Sequence, residues 1–69
     1  MENLGNKPGI ARALNNLGIV HFKYKKETQK SLEFLQRALE IYTEINIPQM
    51  ITTTKNSIGT IKKRANLKR

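Results

Sequence analysis

Apolar residues recur at helical spacing in three separate stretches of the chain. In the first, Ile10, Leu14, Leu17 and His21 fall at i, i+4, i+7 and i+11, and Ala13 and Val20 widen that stripe. The spacing predicts a helix over residues 8–23, with Pro8 in the first turn, where its missing N–H has no partner to lose, and Asn6 or Lys7 at the cap. The second stretch carries two adjacent lines, Leu32, Leu35, Leu39 and Tyr42 beside Phe34, Ala38, Ile41 and Ile45. So broad a face predicts a helix over 28–45 that touches more than one neighbour. Thr28 is its expected N-cap. Glu33 and Arg37 are an expected surface pair worth about 0.2–0.5 kcal/mol. Asn46-Ile47-Pro48 reads as a stop, because Asn tolerates the left-handed conformation and Pro cannot continue the ladder. Pro48 then opens a third helix over 48–65 with Ile51, Thr54, Ile58, Ile61 and Ala65 on its inner stripe. Thr52, Thr53 and Thr54 weaken it, since branching at Cβ restricts χ1.

The first and third stretches are copies. Ile51, Asn56, Ile58, Gly59 and Ile61 repeat Ile10, Asn15, Leu17, Gly18 and Val20 at an offset of 41 residues, and Ile45 repeats Leu4 in the same register. Such a fixed period points to stacked helical repeats. Glycine inside a helix costs about 1 kcal/mol relative to alanine. Its recurrence at 18 and 59 predicts close approach of a neighbour at both, with Ser31 and Ala38 facing Gly18. The short turn between Lys23 and Thr28 makes the first two helices antiparallel neighbours.

Charge adds direction without naming a partner. Lys and Arg number 13 against 5 acids, a net +8, and beyond Glu44 every charged residue is basic. That field favours acidic partners, whether peptide, nucleic acid or anionic lipid. Sixty-nine residues with no cysteine allow one small domain without disulfides or thiolate zinc. No apolar run is long enough to span a bilayer, and the first residues lack the pattern of a signal peptide. A cytoplasmic protein is expected; the basic run from Lys62 to Arg69 also resembles short nuclear-import signals.

Leu14-Asn15-Asn16-Leu17-Gly18, followed by Ser31, Leu35 and Ala38-Leu39-Glu40-Ile41-Tyr42, resembles a tetratricopeptide repeat. The offset of 41 exceeds the usual period of about 34 residues and is similar to the longer variant found in kinesin light chains and in bacterial peptide-sensing regulators. His21 stands where the family usually has Tyr, and Lys55 and Lys62 replace large residues in the second copy. The resemblance implies an all-α fold over 1–69: an antiparallel hairpin plus a third helix, about one and a half repeats of an α-solenoid. Residues 1–5 would be the remnant of a preceding repeat and 66–69 a basic tail. It also implies a concave groove for a peptide or partner helix. Arg12, Asn15, Asn16, Ile19 and Lys23 would line it from the first copy, and Thr53, Asn56, Ser57, Thr60 and Arg64 from the second. Asn16 is the foremost backbone-binding candidate. The implied role is a protein-interaction module, scaffold-like and without cofactor.

Catalysis finds little to work with. His21 continues an apolar stripe, the glutamates sit among basic residues, and no phosphate-cradling loop or metal-ligand spacing occurs. The chain is therefore not expected to be an enzyme. Arrays of this kind need about three repeats to cover their ends, so self-association through exposed repeat ends is expected. The alternative reading is a basic helical protein that binds nucleic acid through its Lys and Arg surface.

Overall fold

The computed structural model describes residues 6–67, with the side chain of Leu67 outside the description. Three helices follow in order: α1 (Lys7–Lys25), α2 (Thr28–Glu44) and α3 (Pro48–Leu67). The described residues contain no strand, so the protein is all-α. The 1–5 remnant and the end of the basic tail lie outside the described residues.

Lys7 meets Glu44, Ala11 packs with Ala38 and Tyr42, Gly18 meets Leu35, and His21 meets Phe34. These pairs run in opposite directions, which makes α1 and α2 antiparallel. Helix α2 also packs on α3, so it occupies the middle, while α1 and α3 touch each other only marginally. With α2 between α1 and α3 the helices lie side by side in one layer, and the Cα trace is 12 Å across its thinnest dimension. A single layer of helices can enclose little. Among the described residues, only Ala11, Leu35, Ala38, Tyr42 and Ile61 are buried apolar positions.

The turns explain the boundaries. After α2, Asn46 adopts φ 57°, Ile47 N–H bonds to the Tyr42 carbonyl and Asn46 N–H to that of Thr43. This is a Schellman closure, and Ile47 packs against the cluster that holds Tyr42, the apolar contact that accompanies the motif. After α1, Lys26 takes φ 56° and the His21 carbonyl accepts the N–H groups of both Lys26 and Glu27.

Several expectations are corrected. The N-cap of α2 is Glu27 and not Thr28, because the Glu27 carbonyl already accepts the Ser31 N–H and Thr28 is helical. Glu33 and Arg37 are not within ion-pair distance; the described ion pairs are Lys7–Glu44 and His21–Glu27. The Ile10, Leu14, Leu17 and His21 stripe does not pack as a unit. Ala11 and Gly18 are the buried residues of α1, Leu14 and His21 are half-buried, and Ile10, Leu17 and Val20 are exposed.

The glycines also part company. A Cβ on Gly18 would lie 2.8 Å from Leu35 Cγ and 3.0 Å from the Ser31 carbonyl oxygen, so close approach is real there. Ser31 faces this glycine as expected, whereas Ala38 packs with Ala11 and Tyr42. Nothing lies within 4 Å of a Cβ on Gly59, so the expectation fails at the second copy. Gly59 sits on the side of α3 turned away from α2.

Candidate functional site

Between α1 and α3 runs an open groove of about 390 Å³. Helix α1 contributes Ile19, Phe22 and Lys23. These lie at i, i+3 and i+4, so one face of the last turns of α1 supplies all three. From α3 come Thr53, Asn56, Ser57 and Thr60 along one polar face, with Ile61 and Arg64 towards its end.

Each residue reaches the groove for a local reason. On α1 the α2-facing side is taken by Ala11, Leu14 and Gly18, which leaves Ile19 and Lys23 on the side towards α3. On α3, Thr54 and Ile61 turn inward and are buried, which puts Thr53, Asn56 and Thr60 beside them at exposed positions. The Thr53 hydroxyl donates to the Gln49 carbonyl, one turn back in its own helix, at 3.0 Å, leaving its lone pairs for an incoming N–H. Among the described residues neither Lys23 nor Arg64 has an acidic partner. The groove thus combines apolar surface (Ile19, Phe22, Ile61), hydroxyl and amide groups, and two cations.

Of the residues expected to bind, the structure brings Ile19, Lys23, Thr53, Asn56 and Thr60 together, along with Ser57 and Arg64. Arg12, Asn15 and Asn16 do not line the groove. They stand one to two turns nearer the start of α1, about 4–10 Å along its axis from Ile19. Asn16 and Arg12 are exposed, while Asn15 is half-buried with a shielded Oδ1 that has no hydrogen-bond partner. Phe22 and Ile61 were missed as groove residues. A signal existed for Phe22, which stands three residues after Ile19; Ile61 reads in the sequence as inner stripe alone.

At the far end of α1, His21 stacks on Phe34 with ring centroids 5.1 Å apart, and its Nδ1 lies 2.6 Å from Glu27 Oε1. The imidazole N–H donates to the carboxylate, and this bond, aided by the charges of His21, Lys25 and Lys30, holds the Glu27 carboxyl below its ordinary pKa. His21 is thereby fixed as a packed aromatic tied to the α1–α2 turn.

Comparison with protein-family models, with curated proteins and with solved structures gave no match. Among the described residues no group of three His, Cys, Asp or Glu side chains is placed to hold a metal ion. No described helix is long and apolar enough to cross a membrane.

Proposed function

We propose that this chain is a protein-interaction module of the tetratricopeptide type that holds a peptide or partner helix between α1 and α3. The observation that carries this reading is the mixed lining of the groove. Ile19 and Phe22 offer apolar contact, Thr53, Asn56 and Thr60 offer hydrogen bonds to a main chain, and Lys23 and Arg64 favour acidic side chains. The repeat-equivalent pairs Ile19 and Thr60, and Lys23 and Arg64, meet across one trough, as a shared binding surface built from two copies requires. Recognition of this kind needs no catalytic group and no cofactor.

Selection of short peptides displayed on phage, followed by NMR titration of the isotope-labelled chain, tests the proposal. Shift changes are expected at Ile19, Lys23, Thr53, Asn56 and Thr60, and the double variant Lys23→Glu/Arg64→Glu should weaken binding of an acidic peptide about tenfold or more. Selected peptides that perturb other surfaces, or bind the double variant equally, would remove the groove from the account.

A second reading rests on α3, where Lys55 and Lys62 flank Gly59 on an exposed face and Lys63 lies alongside. That basic strip suits the phosphates of nucleic acid. It predicts affinity for duplex or single-stranded DNA that falls steeply with salt, with a slope reduced by about one for each lysine removed. Unchanged binding between low and high salt would dismiss it.

A further inference from the structure

Helix α1 carries a second apolar line that the fold leaves uncovered. Ile10, Ala13, Leu17, Val20 and Tyr24 are all exposed, with Leu17 at 44% and Tyr24 at 78%. Their spacing of three, four, three and four is that of a coiled-coil seam. The line is about 21 Å long, the reach of four helical turns.

The internal repeat identifies what kind of surface this is. At the offset of 41, these five residues correspond to Ile51, Thr54, Ile58, Ile61 and Ala65. In α3 those positions face inward: Thr54 and Ile61 are buried, the other three are half-buried, and the helix packs on α2. The free line of α1 is therefore the counterpart of a face that elsewhere in the same chain is covered by a helix. The reverse correspondence is unlike it. Ala11, Leu14 and Gly18 of α1 match Thr52, Lys55 and Gly59 of α3, an exposed polar face that asks for no cover. One flank of the layer is adhesive and the other is finished.

Charge selects the occupant. Helix α1 holds Lys7, Arg12, Lys23 and Lys25 and no acid; α3 holds Lys55, Lys62, Lys63 and Arg64 and no acid. Helix α2, with Glu33, Glu40 and Glu44 against Lys30 and Arg37, is the acid-bearing helix that lies between them. Both basic helices are thus already paired with an acid-bearing one, and Lys7 reaches Glu44 at 2.8 Å. A second copy has no equivalent to offer. Its α1 would set one basic, acid-free helix against another with Lys23 on the flank, the exposed side of its α2 is polar, and the free side of its α3 is basic. We infer that the Ile10–Tyr24 line of α1 docks an acidic amphipathic helix of another protein, with apolar residues at coiled-coil spacing and glutamates on their flanks. Lys23, which borders the line beside Val20 on its groove side at 100° per residue, is the cation that would meet those glutamates, on a helix that carries no acid of its own.

The test uses two designed helical peptides about three heptads long, with leucine at the seam positions and either glutamate or lysine at the flanks. Binding to the whole chain is followed by NMR shifts and by Tyr24 fluorescence, since the other tyrosine, Tyr42, is buried. The glutamate peptide is expected to shift Ile10, Leu17, Val20 and Tyr24 and to bind about tenfold or more tighter than the lysine peptide, a preference that shrinks with salt. The double variant Leu17→Lys/Val20→Lys should lose binding with its helix content unchanged. The peptide comparison on the unaltered chain stands even if that variant fails to fold. Equal binding of the two peptides, or shifts only around Ile19 and Thr60, would overturn the inference. So would a micromolar dimer in sedimentation that Leu17→Lys dissolves, because a second copy would then be the occupant.

Discussion

The two repeat-equivalent glycines make opposite predictions for one chemical change. Alanine in place of glycine inside a helix contributes about 1 kcal/mol wherever the added methyl is harmless. At Gly59 it is harmless, since nothing lies within 4 Å of the new Cβ. Gly59→Ala should therefore stabilise the fold by about 1 kcal/mol and raise Tm by about 4–8 °C for a domain of this size. At Gly18 the methyl meets Leu35 Cγ at 2.8 Å and the Ser31 carbonyl at 3.0 Å. Neither is the far end of a flexible side chain, so α1 and α2 must separate. Overpacking of this kind costs about 1–3 kcal/mol, against the same gain of about 1 from propensity. The propensity contribution cancels between the two variants, so Gly18→Ala should be less stable than Gly59→Ala by about 1–3 kcal/mol. Urea titrations followed by circular dichroism measure both on one scale. Equal stabilisation by the two substitutions would refute the close α1–α2 approach, and destabilisation by Gly59→Ala would refute the open face of α3.

Other perturbations follow from single features. The Thr54 hydroxyl is buried without a partner, so the isosteric Thr54→Val should gain about 1 kcal/mol in the same titration; a loss would mean the hydroxyl is bonded. Lys26 holds φ 56°, and Lys26→Gly should gain about 0.5–1 kcal/mol by relieving the left-handed conformation, read as a rise in Tm. Glu27 has its carboxyl pKa depressed from 4.5 by His21. Its stabilising bond is present above that pH and is lost as pH falls through the lower folded value. The difference in urea midpoint between the native chain and Glu27→Gln should therefore shrink below pH 4.5, and a constant difference down to full protonation would contradict the pairing. Leu35→Ala removes the largest fully buried side chain among the described residues and should cost about 2–5 kcal/mol, enough to unfold much of so thin a protein at room temperature.

Helix positions were legible because their signals are local. Pro8, the Asn46-Ile47-Pro48 stop and the broad face of α2 mark ends and burial through backbone chemistry that needs no tertiary partner. The orientation of α1 was not legible from periodicity, because its apolar residues support two overlapping stripes. Choosing Ile10–Leu14–Leu17–His21 mixed residues that face α2 with residues that face out. Gly18 and Gly59 look alike in sequence, and only the presence of α2 beside one of them distinguishes their roles. Lys26 offered no warning at all, since lysine is not a residue that marks a left-handed turn. Of the groove lining, Ile19 and Lys23 on α1 and Thr53, Asn56, Ser57, Thr60 and Arg64 on α3 were legible, whereas Phe22 and Ile61 were not. Arg12, Asn15 and Asn16 fell outside it because repeat equivalence fixes which face a residue shares, not how far along the axis the two helices gape.

Because α2 alone has neighbours on both flanks, the three helices should not let go together. Amide protons of α3 and of the ends of α1 should exchange with deuterium well before those around Leu35 and Ala38, which are fully enclosed. A guest bridging α1 and α3 would then slow exchange in both outer helices at once, so occupancy would be readable as a change in how the layer breathes.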